Sequence, residues 1–261
     1  MTEAVAGEPL LSCRSLDITV PGRELVRGLN LECRAGRVLA LLGRNGAGKS
    51  STLRALAGLR PAGTGDIIVQ GRPLADWSRR ELALALGFLP QSSEDPFPAT
   101  VIEAALVGRH PHVGFWEWES GADLAIARQC LGQLGLADLE HRDVTTLSGG
   151  ERRRLAVATI LAQDPRILLL DEPIQQLDPR HQIEVLRLLR SLADQGRSIV
   201  MSLHEVGLAA RFADDALLLH GDGRWSSGPC ETALDEQSVS ALYGLPLREL
   251  AWDQGRTFIA G

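Results

Sequence analysis

Gly43-Arg44-Asn45-Gly46-Ala47-Gly48-Lys49-Ser50 is the stretch whose reading decides the fold. The apolar run Arg37-Val38-Leu39-Ala40-Leu41-Leu42 leads into it, and Ser51 to Leu59 follows as a helix-like run ending near Gly58. Strand, glycine-rich turn and helix in that sequence form the setting of a phosphate-binding loop. Gly43, Gly46 and Gly48 open backbone conformations closed to residues with a Cβ, so successive N–H groups can point into one concavity. The following helix adds its unpaired N–H groups and the positive end of its dipole. In this setting Lys49 reaches the β- and γ-phosphates and the Ser50 hydroxyl ligates Mg²⁺. Lys49 is the only lysine in the chain; the other 26 of the 27 Lys+Arg residues are arginine. Arginine and lysine are not equivalent at a phosphate, so a lone lysine here points to a required compact ammonium.

Working outward, 261 residues suffice for a full core. A net charge of −6 and the lack of a long basic run argue against nucleic-acid binding. No window reaches 18 consecutive apolar residues, and Met1 to Pro9 has no basic n-region, so neither a membrane span nor a secretory signal is expected. Cys13, Cys33, Cys130 and Cys230 are scattered with no CxxC pair and read as free thiols.

Strands are expected over Leu10 to Val20, Leu25 to Cys33, Arg37 to Leu42, Asp66 to Gln70, Gly87 to Gln91, Ile167 to Leu170 and Ser198 to Leu203, with Ala216 to Leu219 as the last core strand. Ser78 with Glu81 reads as a capping box opening a short helix to Leu86. Ser92 to Pro98 reads as a loop, and Thr100 to Val107 and Gly121 to Leu134 as helices. Ser92 to about Thr146 therefore reads as a mostly helical insertion in an α/β core. Leu147 to Gln163, Pro179 to Ala193 and Val206 to Phe212 read as further helices, and the tail carries a hairpin signal and a helix near Glu236 to Tyr243.

Asp171-Glu172 closes an apolar strand downstream of the phosphate loop; there Asp171 would hold Mg²⁺ through its shell and Glu172 would polarise the attacking water. His204, after another buried strand, is placed to reach a γ-phosphate. Gln91, at a third strand end, would orient the water or touch Mg²⁺. Leu147-Ser148-Gly149-Gly150-Glu151 opens a helix with the same anion-binding physics as the first loop. One chain needs one such site for its own γ-phosphate. The second implies a nucleotide held by another subunit, hence two copies, head to tail, closing over two ATP molecules.

From Leu10 to Leu219 the chain resembles the ATP-binding subunits of ABC transporters. Gly43 to Ser50 matches Walker A, Gln91 the Q-loop, Leu147 to Glu151 the LSGGQ signature in an LSGGE form, Ile167 to Glu172 Walker B with the catalytic glutamate, Leu177-Asp178 the D-loop and His204 the H-loop. The resemblance implies a P-loop NTPase (RecA-like) α/β core with an antiparallel β subdomain and an inserted α-helical subdomain. It implies one cassette over 1–261: core at 1–91 and 147–235, helical subdomain at 92–146, tail at 236–261. It implies ATP and Mg²⁺ as cofactors. Arg44, Asn45, Ala47 and Ser51 join Gly43, Gly46, Gly48, Lys49 and Ser50 around the nucleotide, and Ser148, Gly149, Gly150 and Asp178 meet the opposite subunit's ATP. Ser50, Gln91 and Asp171 form the metal set; Glu172, His204 and Gln91 the catalytic set. The implied partners are an integral-membrane permease, a substrate-binding protein acting through it, and a second copy, with the chain cytoplasmic and peripheral on the inner face of the cell membrane.

Four positions depart from the family's pattern. Val20 stands where an aromatic usually stacks on adenine, Ile174 follows Asp-Glu-Pro in place of threonine, and Gln175-Gln176 replace Ser-Ala before the D-loop. Within the family, Phe97 to Val101, Gly108 to His112 and His181 to Leu186 resemble importer subunits for ferric siderophores, haem or vitamin B12. Phe115 to Glu119 and Leu242 to Pro246 look most like the B12 branch. His110 and His112 read as loop residues, not a metal site. The competing function is a non-transport ABC ATPase such as that of iron–sulfur assembly; the tandem cassettes, long coiled coils and cluster cysteines of other such ATPases are missing from the sequence.

Overall fold

The computed structural model describes residues 9–91, 98–114, 116–252 and 255–260. Most of the loop expected from Ser92 to Pro98, and Phe115 of the aromatic stretch, lie outside them. The first half contains β1 (Pro9–Val20), β2 (Arg23–Arg34), β3 (Val38–Leu42), α1 (Lys49–Leu56), β4 (Asp66–Val69), β5 (Arg72–Pro73), α2 (Arg79–Ala85) and β6 (Leu86–Leu89). Helices α3 (Val101–Leu106), α4 (Gly121–Gln133) and α5 (Gly149–Ala162) follow. The second half continues with β7 (Ile167–Leu170), α6 (Pro179–Asp194), β8 (Ser198–Ser202), α7 (Val206–Phe212) and β9 (Asp215–Leu219). It ends with β10 (Trp225–Pro229), α8 (Cys230–Ala233), α9 (Glu236–Tyr243), β11 (Leu247–Trp252) and β12 (Gly255–Ala260).

The central sheet runs β10-β9-β3-β8-β7-β6, parallel from β9 to β6. Its inner strands are apolar on both faces because both are covered. Along β3, Leu39 and Leu41 join the core beneath α1, α2 and the antiparallel sheet, while Val38, Ala40 and Leu42 join the core beneath α3 to α9. β7 divides in the same way, with Ile167 and Leu169 on one side and Leu168 and Leu170 on the other. A one-residue slip would exchange the two sets. The antiparallel sheet has the order β2-β1-β4-β5. Between β6 and β7 the described residues form helices and short turns, with one isolated bridge, Thr100 to Asp143. Ala216 to Leu219, expected as the last core strand, closes the parallel part of the sheet as β9, and β10 adds an antiparallel edge strand beyond it. The pattern Trp225-Ser226-Ser227-Gly228-Pro229 carries almost no strand propensity and is held by its pairing.

Helices α2, α3, α4 and α5 all open on a reciprocal capping box: Ser78 with Glu81, Thr100 with Glu103, Ser120 with Asp123, Ser148 with Glu151. Asp123 is the most strongly held. The Ser120 hydroxyl donates to it at 2.6 Å, the Ser120 amide at 2.9 Å and Arg109 Nε at 2.9 Å. These bonds, that of the hydroxyl first, keep its carboxyl well below the usual range. A depressed folded-state value means that the contribution is complete above the unfolded pKa and is lost as pH falls through the folded one. The melting temperature should therefore start to drop below about pH 5 and keep dropping well below about pH 3, toward the depressed folded value. Asp123→Asn should lower it at neutral pH and make the acid drop shallower; an unchanged acid profile would remove Asp123 from this account.

Candidate nucleotide-binding site

The phosphate loop joins the C-terminal end of β3 to α1, a crevice position in an open parallel sheet. Gly43 is fixed by close approach: at φ +155°, a Cβ there would lie 2.5 Å from the Leu219 carbonyl oxygen of the neighbouring strand. Lys49 is buried, and its Nζ donates to the Gly43 carbonyl at 2.8 Å and to that of Arg44 at 3.4 Å. Burial lowers its pKa, while the charges of Glu172 and Asp171 act the other way. The ammonium is thus pinned inside the loop, facing two acids. A cleft of about 390 Å³ opens over it, bordered by Val20, Arg23, Asn45, Ser50, Gln91 and Glu172.

The acids leave β7 side by side. Ser202, the last residue of β8, donates its hydroxyl to Asp171 Oδ1 at 2.7 Å and accepts the Glu172 amide at 2.8 Å. Glu172 Oε1 lies 2.6 Å from His204 Nε2. Asp171 Oδ2 and Glu172 Oε2 are buried with no hydrogen-bond partner among the described residues. Two orphaned carboxylate oxygens beside a phosphate loop suit a hydrated divalent cation and an attacking water, so the donor set fits Mg²⁺. Glu172 sits at φ +53°, in the left-handed region that side chains disfavour.

Arg153, in the first turns of α5, holds this backbone in place. It is buried, its Nε and Nη2 donate to the Glu172 carbonyl at 3.1 and 2.7 Å, and Nη2 also meets the Asp171 carbonyl. Its Nη1 donates to the carbonyls of Pro90 at 2.7 Å and Gln91 at 3.2 Å.

The structure therefore brings Gly43 to Ser51, Gln91, Asp171, Glu172 and His204 together. Ser148, Gly149, Gly150 and Asp178 do not border the cleft. Ser148 caps α5, Gly149 and Gly150 lie against Gln176, and Asp178 caps α6. Asp178 accepts the His181 amide at 2.9 Å and lies 2.6 Å from His181 Nδ1, which keeps its carboxyl low. His112 meets the Gln163 carbonyl at 2.8 Å, and no cluster of three metal-ligating side chains occurs among the described residues. All four cysteines are buried and free. Sequence reasoning missed Ser202, Arg153 and Arg23. Ser202 had one signal, a hydroxyl ending an apolar strand two residues before His204.

Such a cleft, with a lysine-clamped loop on one side and a strand-end carboxylate pair on the other, defines a P-loop nucleoside triphosphatase. Residues 26–175 match the ABC transporter family. The chain is 42% identical over 244 residues to the hemin import ATP-binding protein HmuV of Streptomyces coelicolor, covering 94% of this chain and 86% of that one. It is 36% identical to the achromobactin transport ATP-binding protein CbrD of Dickeya dadantii, covering 91% and 89%. Among solved structures, an inward-facing transporter of the metal-chelate type superposes with a TM-score of 0.85 at 29% identity, over 97% of this chain and 98% of that one. The chain belongs to the ABC transporter family, as an ATP-binding subunit with ATPase activity.

Proposed function

We propose that this cassette drives import of a haem or ferric siderophore through a membrane permease. Hydrolysis is supported above all by the two unpartnered carboxylate oxygens of Asp171 and Glu172 beside the phosphate loop. Import is supported by the hemin import relative, whose likeness covers 94% of this chain. Vitamin B12, toward which residues 115–119 and 242–246 lean, is a further cargo to test. No observation favours the iron–sulfur assembly alternative.

In this reading Gly43 to Ser51 cradle the triphosphate and Lys49 leaves its carbonyl partners for the β- and γ-oxygens. Ser50, Gln91 and Asp171 would hold Mg²⁺, which would supply positive charge against the phosphates. Glu172 takes the proton of the attacking water, and His204 gives up its contact with Glu172 to hold the γ-phosphate. Ser148, Gly149, Gly150 and Asp178 serve the ATP of a second copy, which is why they stand apart from the cleft of their own chain. Residues 1–91 and 147–235 act as the core, 92–146 as the helical subdomain that moves on closure, and 236–261 as a tail. No helix among the described residues is long and apolar enough to cross a membrane, so the permease would anchor the cassette to the inner face of the cell membrane. A substrate-binding protein would deliver cargo on the other side.

The test is uptake of labelled haem, ferric siderophore and vitamin B12 in a strain lacking the gene, with rescue by wild type and by Glu172→Gln. Loss of haem or siderophore uptake, restored only by the wild type, is the expected result. Loss of B12 uptake alone would keep the motor and change the cargo; normal uptake of all three would remove the import reading.

A further inference from the structure

The nucleotide cleft has a polarity. Lys49 feels the charges of Asp171 and Glu172, so the hydrolysed end of a triphosphate lies on that side. Val20 and Arg23 border the cleft where the loop meets the Gly221 turn, and no aromatic side chain borders it among the described residues. A purine at that end would meet Val20, which has no π face, and the residue paired with it across the β1–β2 turn, Arg23.

Arg23 is exposed yet anchored. Its Nε and Nη2 both donate to the Gly221 carbonyl, at 3.1 and 2.6 Å. Gly221 makes room for this: at φ +77°, a Cβ there would lie 2.9 Å from Ala47 Cα and 3.0 Å from Arg23 Nη2. Nη1 lies on the phosphate-loop side, 3.9 Å from where a Cβ on Gly46 would be. One edge of a planar cation is therefore fixed in advance against the loop. A guanidinium stacks on aromatic faces, and holding it still beforehand reduces the entropy lost on binding.

We propose that Arg23 is the base platform of this cassette, its Gly221-anchored guanidinium stacking on the purine of ATP in place of an aromatic side chain. This depends on the nucleotide cleft and not on the cargo, so it can fail while the import reading stands, and the reverse.

The experiment is competition of ATP, GTP, CTP and inorganic triphosphate against a fluorescent ATP analogue, on wild type, Arg23→Ala, Arg23→Lys and Arg23→Tyr. Arg23→Ala should weaken ATP and GTP about tenfold while leaving inorganic triphosphate nearly unchanged. Arg23→Tyr should restore purine binding, because an aromatic ring supplies the same platform, and Arg23→Lys should not. Melting curves of each variant separate this from misfolding. Equal loss for ATP and inorganic triphosphate would make Arg23 a phosphate contact, and unchanged ATP binding would make it a surface arginine; either result overturns the proposal.

Discussion

Glu172→Gln is expected to bind ATP with nearly wild-type affinity and to hydrolyse it about a hundredfold more slowly or worse. The amide has the same shape and can keep a hydrogen bond to His204, which lies 2.6 Å from Glu172 Oε1. The phosphate loop and Asp171 are unaltered, so binding survives. What is lost is a base: an amide oxygen does not accept a proton from water at neutral pH. A hundredfold is about 2.7 kcal/mol of transition-state stabilisation, a normal share for one proton-transfer group. Phosphate release under saturating ATP, with a parallel titration of a fluorescent nucleotide, measures both terms. A wild-type hydrolysis rate would take Glu172 out of the chemistry and leave its buried, unpartnered Oε2 without an explanation.

Arg153→Met should damage both folding and turnover. Among the described residues, the partners of the buried guanidinium are all carbonyls, those of Pro90, Gln91, Asp171 and Glu172. Burial lowers its pKa to about 10, which still leaves it charged at neutral pH. Methionine fills the space and leaves those acceptors unpaired, at a cost of about 3 kcal/mol. In a chain of this size that is a fall in melting temperature of about 6–12 °C. Turnover should fall at least about tenfold even where the variant is fully folded, because Glu172 is held at φ +53° by bonds on both sides of its peptide. Arg153→Lys should recover part of the stability and less of the rate, since an ammonium cannot span four acceptors as a fork does. Differential scanning fluorimetry and kcat at saturating ATP decide it. Wild-type values for both in Arg153→Met would reduce the residue to packing.

The two halves of this site differ in how far sequence could reach them. The phosphate loop and the β7 acids are legible because each combines a chemical pattern with an element boundary in one continuous stretch. The capping box at Ser78 is legible for the same reason, as local hydrogen bonds three residues apart. Arg153 is not. It stands in a run of three arginines, where sequence shows that helical geometry must spread them over different faces but not which face meets β7. Arg23 reads as a turn-flanking charge until Gly221, 198 residues away, receives it. The edge strand β10 escaped because Trp225 to Pro229 carries no strand period of its own and is defined only by its pairing with β9, whereas the tail hairpin β11–β12 follows the hairpin signal of the tail.

Lys49 has one more consequence. It is the chain's sole lysine side chain, and it lies buried under the mouth of the cleft with its nitrogen on the Gly43 carbonyl. Amine-directed acylation of this chain therefore has a single side-chain address, distinct from the α-amino group. The mass of the peptide carrying Lys49 would count occupied clefts without a mutation: shielded by triphosphate, slowly modified when empty, and fully modified only on unfolding.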